Sequence, residues 1–201
     1  MKKGEKFQEL VKTFRKVEGT SIRQAEQLTY ALLSMKKEER IELGTTIAKL
    51  TDYIHLCDKC NMWYENDKCP ICDDSSRDQS LILVVNDYRL VDSFEKTGKY
   101  RGLYFVVHDM VSVNTTPDMR KRDLSKLADR VRILKIREVI LGFDPTQFGE
   151  INALYVEECL RTSSAKISRL ARGAASGNLL SSLDTYSLES SLENRQQERK
   201  K

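Results

Sequence analysis

The sequence predicts a multi-part α+β protein: an N-terminal helical hairpin domain, a small four-cysteine finger, an α/β domain with a mainly parallel sheet, and a C-terminal helical tail. Three observations predict it. Apolar residues before position 55 recur at helical spacing, four of the five cysteines fall within residues 57–72, and from residue 81 onward short apolar runs alternate with amphipathic segments.

The helical part comes first. Phe7, Leu10, Val11 and Phe14 share one helical face, Ile22, Ala25, Leu28 and Leu32 share another, and "VEGTS" separates the two segments. Ser34 is expected to cap a third helix running through "KKEERIELGTTIAKLTDYI", where Ile41, Ile47, Leu50 and Ile54 form a stripe weakened by Gly44. Beyond the cysteines, "LILVV" (81–85), "LYFVV" (103–107), "EVILGF" (138–143) and the weaker "AKISRLA" (165–171) are expected strands. The stretches around 88–97, 123–135 and 150–161 are expected helices. Strands alternating with helices imply βαβ units and a sheet covered on both faces. The tail from Ser187 is expected to hold one helix and then a frayed end, "RQQERKK".

The chain has 201 residues, 40% of them hydrophobic and 32% charged, which is ordinary for a globular protein. "MKKGEKFQELVKTF" has no apolar run followed by a cleavage site, and no stretch reaches the roughly 20 apolar residues of a membrane span, so a cytoplasmic location with no membrane partner is expected. The net charge of +4 is unevenly spread: residues 1–40 hold ten Lys/Arg against six acids. Two further basic runs, 119–137 and 161–173, flank an acidic segment from Glu138 to Glu158. Such clustering suits a phosphate-rich partner, because neutralising each phosphate releases counterions; it equally suits solvated helix faces.

The cysteines carry the sharpest signal. In "CDKCNMWYENDKCPIC" the spacing is C-x2-C, eight residues, C-x2-C, and the thiols are Cys57, Cys60, Cys69 and Cys72. Two residues between cysteines let a tight knuckle aim both sulfurs at one point, and two knuckles complete the tetrahedral shell Zn²⁺ prefers. Four thiolates leave no open coordination position to activate water, so one structural Zn²⁺ per chain is expected. A pair of redox dithiols, an iron–sulfur cluster, or His55 as a substitute ligand are the alternatives.

"CPICDDSSRD", "FEKTGKYRGLY", "VILGFDPTQFGEINALYVEECL" and "ISRLARGAASG", in that order after an N-terminal hairpin, resemble the bacterial recombination-mediator RecR family over nearly the full length, more closely in the last 145 residues than in the first 50. The resemblance implies a helix-hairpin-helix-type domain over 1–54, a four-cysteine zinc finger over 55–78, a Toprim domain over 79–172 and a C-terminal segment and tail over 173–201. It also implies a dimer or tetramer ring that encloses DNA and acts with RecO and RecF to load RecA on gapped DNA. For the hairpin "VEGTSIRQAEQL", Gly19 and Arg23 match the family pattern, while Ser21 replaces a usual glycine and Gln27 a usual basic residue. Arg23 is therefore the expected DNA contact, with Lys12, Arg15 and Lys16 compensating.

Toprim enzymes hold Mg²⁺ with a glutamate after the first strand and an Asp-x-Asp pair after a later one, and a hard cation needs such converging carboxylates. Here Asn86 stands at the glutamate position, Asp144 is matched, and Thr146 replaces the second aspartate. No enzymatic activity is expected. A Mg²⁺-dependent nuclease or topoisomerase-like enzyme, with Asp87 or Glu150 filling the gap, is the alternative; a zinc-ribbon RNA-binding module is disfavoured by the downstream βαβ pattern. By resemblance, Asp144 and Glu150 become candidates for contact with a RecO-like partner, and Arg169, Arg172, Gly173 and Gly177 for contact between subunits. Glu157 and Glu158 are expected on a solvated helix face, and Cys159 as a buried thiol.

Overall fold

The computed structural model describes residues 4–107, 117–144, 146–170, 180, 183–193 and 195–197. The chain divides into two compact units, Met1–Tyr53 and Ile54–Lys201.

The first unit is helical: α1 (Glu5–Phe14), α2 (Ile22–Ser34), α3 (Lys37–Ala48) and the single turn α4 (Leu50–Tyr53). Gly19 takes φ +78° in the turn between α1 and α2, a left-handed conformation that glycine adopts without a Cβ penalty. Ser21 then caps α2 through a box with Gln24: the Gln24 amide donates to Ser21 Oγ, and the Ser21 amide donates to Gln24 Oε1 at 2.9 Å. Phe7 packs on Tyr30 with ring centroids 4.9 Å apart. Two sequence expectations fail here. Ser34 ends α2 instead of capping α3, with its hydroxyl turned back to the Tyr30 carbonyl; α3 starts after Lys36, whose amide donates to Glu39. The stripe also finds no core, since Ile41, Ile47 and Leu50 are exposed and Ile54 belongs to a strand. So short a unit has too little interior for all its apolar residues, and only Ala25 and Thr29 are buried in its helices.

The second unit begins with a hairpin, β1 (Ile54–Leu56) antiparallel to β2 (Trp63–Glu65), which carries the first cysteine knuckle. The main body follows: β3 (Asp78–Val85), α5 (Tyr88–Thr97), β4 (Gly102–Val106), α6 (Pro117–Ile133), β5 (Glu138–Gly142), α7 (Gln147–Cys159), β6 (Lys166–Arg169), α8 (Thr185–Glu193) and β7 (Gln196–Gln197). The sheet order is β4-β3-β5-β6-β7, with the first four strands parallel and β7 antiparallel to β6. Strand alternation sorts the core into two layers. Leu83, Val85, Tyr104 and Ile140 pack with Leu90, Phe94, Leu188 and Leu192 on one face. Ile82, Val84, Phe105, Val139 and Leu141 pack with Leu127, Val131, Val156 and Leu160 on the other. Each such side chain contributes about 1.5–3 kcal/mol by leaving water.

The expected strands and helices are present, with shifted ends. α6 starts six residues before the expected boundary, with Pro117 at its first position, where proline's fixed φ suits a helix start. α7 starts at Gln147 behind the Thr146 cap. The tail is not simply frayed, because Gln196–Gln197 pairs with Ser168–Arg169 at the sheet edge. Arg195 reinforces it by donating to Glu138, whose buried carboxylate also accepts from Ser168 Oγ at 2.6 Å. Among the described residues, no helix is long and apolar enough to cross a membrane.

Arg77 links the cysteine-bearing segment to the sheet. Its buried guanidinium donates to both oxygens of Glu95 at 3.0 and 2.5 Å and to the Gly102 carbonyl, and lies 5.8 Å from the centre of the Tyr104 ring. Tyr104 donates its hydroxyl to the same carboxylate at 2.7 Å. Burial raises the Glu95 carboxyl, but the Arg77 and Tyr104 hydrogen bonds outweigh it and hold the group below the usual carboxylate range.

Candidate functional site

The four cysteines converge. Leu56 pairs with Trp63 at the loop end of the β1–β2 hairpin, and the Cys57 amide donates to the Met62 carbonyl at 2.8 Å, closing the first knuckle. Asn61 completes that turn at φ +58°, a left-handed conformation that Asn tolerates. The second knuckle closes through the Asp73 amide on the Cys69 carbonyl at 3.1 Å, while Asp73 Oδ2 accepts from the Cys69 amide. All four sulfurs lie within 4.8 Å of one another, with Cys57–Cys72 at 3.8 Å and Cys60–Cys69 at 3.6 Å. A tetrahedral zinc with bonds of ~2.3 Å has sulfur–sulfur edges of about 3.8 Å, so the donor set fits that ion. Cys57, Cys60 and Cys69 are buried and Cys72 half-buried, and none is in a disulfide. His55 is exposed on β1 with its ring against Tyr64, outside the cluster.

The Toprim-like carboxylate positions lie at the carboxyl ends of β3 and β5, which run in register with Val85 beside Gly142. No carboxylate cluster forms there: among the described residues only the four cysteines come close enough together to hold a metal. Asp87 instead caps α5 and is gripped by the Arg89 guanidinium at 2.5–3.0 Å, which outweighs burial and keeps its carboxyl low. Asp144 Oδ1 accepts the Leu180 amide of the C-terminal segment. Thr146 accepts from the Gly149 amide at 3.1 Å, and a Cβ on Gly149 would meet the Asp144 carbonyl oxygen at 1.9 Å, so this turn requires glycine. Arg169 bridges Glu150 and Glu157 at 2.6 Å each. Glu157 is thus tied to the protein instead of being free on a solvated face, whereas Glu158 keeps an exposed pair with Arg161. Asn86 is half-buried, and its Oδ1 makes no hydrogen bond among the described residues.

The expected DNA contacts are all in the helical unit. Lys12 lies in the last turn of α1, Arg15 and Lys16 directly follow it, and Arg23 is the second residue of α2. All four are exposed, and none forms an ion pair among the described residues. Ser21 and Gln24 consume each other's amides in the capping box, leaving those of Ile22 and Arg23 as the amides of the α2 first turn that a bound anion would meet. Arg172, Gly173 and Gly177 lie outside the described residues. Cys159 is half-buried and donates to the Leu124 carbonyl at 3.2 Å; burial pushes its thiol up.

One residue beside the cysteines escapes a reading of the sequence. Arg130 of α6 donates to Cys72 Sγ at 3.2 Å. A signal for it exists: Asp123 and Arg130, both buried, fall among the buried Leu127 and Val131 of the same helix, where charged residues need a specific partner.

Residues 80–171 match the Toprim domain family. Over nearly the whole chain the sequence is similar to proteins named "Recombination protein RecR". The one from Staphylococcus haemolyticus is 30% identical, covering 95% of this chain and 96% of its own. That from Streptococcus sanguinis is 32% identical, covering 92% and 94%, and that from Roseiflexus castenholzii 34%, covering 94% and 92%. A solved DNA primase domain from Pseudomonas aeruginosa aligns over 67% of this chain and 43% of its own at 13% identity with a TM-score of 0.38, too low to inform fold or function.

Proposed function

The chain belongs to the RecR family of recombination proteins, and we propose that it acts there as a non-enzymatic mediator of DNA recombination and repair. In this reading it is a dimer or tetramer ring or clamp on gapped DNA that works with RecO-like and RecF-like proteins to load RecA. The observation that carries the proposal is similarity of 30–34% identity across more than nine-tenths of the chain to proteins of that name. The domain division is proposed with it: helix-hairpin-helix-type domain 1–54, four-cysteine zinc finger 55–78, Toprim domain 79–172, and C-terminal segment 173–201.

Within that division Cys57, Cys60, Cys69 and Cys72 hold one structural Zn²⁺, which when bound supplies no open coordination position and so no hydrolytic chemistry. Arg23, with Lys12, Arg15 and Lys16, contacts phosphate; their exposure and freedom from ion pairs among the described residues support this. The absence of catalysis is supported by Asn86 and Thr146 at two of the three carboxylate positions and by the backbone amide seated on Asp144. Asp144 and Glu150 are proposed to meet a RecO-like partner, which would have to compete with Leu180 and Arg169 for them.

Light scattering of the zinc-loaded protein with and without a gapped duplex tests this reading. A dimer or tetramer that gains DNA mass at low salt and loses it at high salt is expected, since 6–10 phosphate contacts lose roughly 10³–10⁵ in affinity between 50 and 200 mM salt. Arg23→Glu is expected to weaken binding and flatten that dependence. A monomer indifferent to DNA, or Mg²⁺-dependent cleavage abolished by Asp144→Ala, would overturn it.

A further inference from the structure

We propose that Arg130 is a positioning residue of the cysteine centre, fastening both knuckles to the Toprim sheet and setting the affinity of the centre for its metal. The inference rests on the reading that the four cysteines bind zinc.

Arg130 comes from α6, 58 residues after Cys72 in the chain, and is 9% exposed. Its planar fork makes three contacts. Nη1 donates to the Lys59 carbonyl of the first knuckle at 2.5 Å and to the Tyr104 carbonyl of β4 at 3.2 Å; Nη2 donates to Cys72 Sγ of the second knuckle at 3.2 Å. One guanidinium therefore ties the two halves of the centre to each other and to the sheet, which a lysine ammonium on its flexible stem is not shaped to do. Neighbouring contacts make the same junction. The Val106 amide at the end of edge strand β4 donates to the Cys60 carbonyl at 2.8 Å, and Asn61 Nδ2 donates to the Val106 carbonyl at 3.0 Å and to buried Asp123 at 3.2 Å.

Charge gives the geometry its direction. Four thiolates around a divalent cation carry a formal excess of two negative charges, and burying that excess is costly without compensation. A buried cation hydrogen-bonded to one sulfur offsets part of it, and the same excess offsets the cost of burying Arg130. Groups that hold metal ligands in this way typically change metal affinity by 10–100-fold when removed.

Cobalt(II) titration of the full chain, followed by zinc competition with a chromophoric chelator, tests the inference on wild type, Arg130→Met, Arg130→Lys and Lys59→Met. Wild type is expected to take one ion per chain with sulfur-to-cobalt charge-transfer absorption. Arg130→Met is expected to bind about 10–100-fold more weakly, with its charge-transfer band at longer wavelength because one sulfur has lost a hydrogen bond. A merely structural role would leave the band in place. Arg130→Lys is expected to recover part of the affinity. Lys59→Met removes only the exposed pair with Asp73 and is expected to stay within about threefold of wild type. Should Arg130→Met not fold, Arg130→Lys decides by the same two readouts. A wild type that binds no metal through thiolates overturns the zinc reading itself. A wild type that binds, beside Arg130 variants with unaltered affinity and band position, overturns this inference alone.

Discussion

The cysteine centre and the carboxyl edge of the parallel sheet both carry residue types that can ligate a cation, and among the described residues they are built in opposite ways. At the first, four thiols point at one another and the surrounding donors fix the knuckles. At the second, each acid that could have turned inward is already engaged: Asp87 by Arg89, Asp144 by the Leu180 amide, Glu150 by Arg169. A metal site requires ligand atoms that converge on one point, and among the described residues only the cysteines do so. In the Toprim-family part of the fold Asp87, Asp144 and Glu150 are thus held by protein contacts, whereas the four cysteines converge where a metal ion could be held.

Stripping the metal by chelation, or Cys69→Ser, gives the largest expected effect. Binding at structural zinc centres is worth on the order of 10 kcal/mol, comparable with the whole stability of a domain, so residues 54–77 are expected to lose hydrogen-exchange protection first. Protection unchanged in β1 and β2 would break the contrast from the cysteine side. Gly149→Ala comes next: its Cβ would overlap the Asp144 carbonyl oxygen, and about 1–3 kcal/mol of stability is expected to be lost in urea unfolding. Asp144→Ala is smaller, about 1 kcal/mol for one hydrogen bond to the C-terminal segment, with no effect on a Mg²⁺ response that the wild type is expected to lack. A Mg²⁺-dependent rise in Tm that this substitution removed would break the contrast from the other side. Acidification is the mildest probe. Glu95 and Glu138 both have lowered carboxyls when folded, so their contribution is complete above the ordinary carboxylate value of about 4.3 and is lost as pH falls through the lowered folded values. A melting series from pH 6 to pH 3 is expected to stay level at first and then fall, with Glu95→Gln softening the fall.

The legible parts of this molecule are those whose cause is local. Strand segments such as 82–85 and 139–141 are buried on both faces, so they read as unbroken apolar runs, and the cysteine spacing alone implies a common centre. What escapes depends on partners distant in sequence. Nothing near Asp144 announces an amide 36 residues later, and nothing near Cys72 announces Arg130. The two-residue strand at Gln196–Gln197 is polar and too short to show a period. Ser34 misleads for another reason: it is a good capping residue, but its hydroxyl satisfies a carbonyl inside α2 while Glu39 serves the start of α3. The early start of α6 is readable from Pro117, although the apolar spacing alone places it later.

Elemental analysis of the purified chain after exhaustive dialysis against millimolar Mg²⁺, followed by gel filtration into metal-free buffer, tests the contrast most directly, because it asks both places the same question at once. One zinc and no magnesium per chain is the expected result, placing the metal at the cysteines and leaving the carboxyl edge closed. Retained magnesium, or a folded chain without zinc, would contradict it.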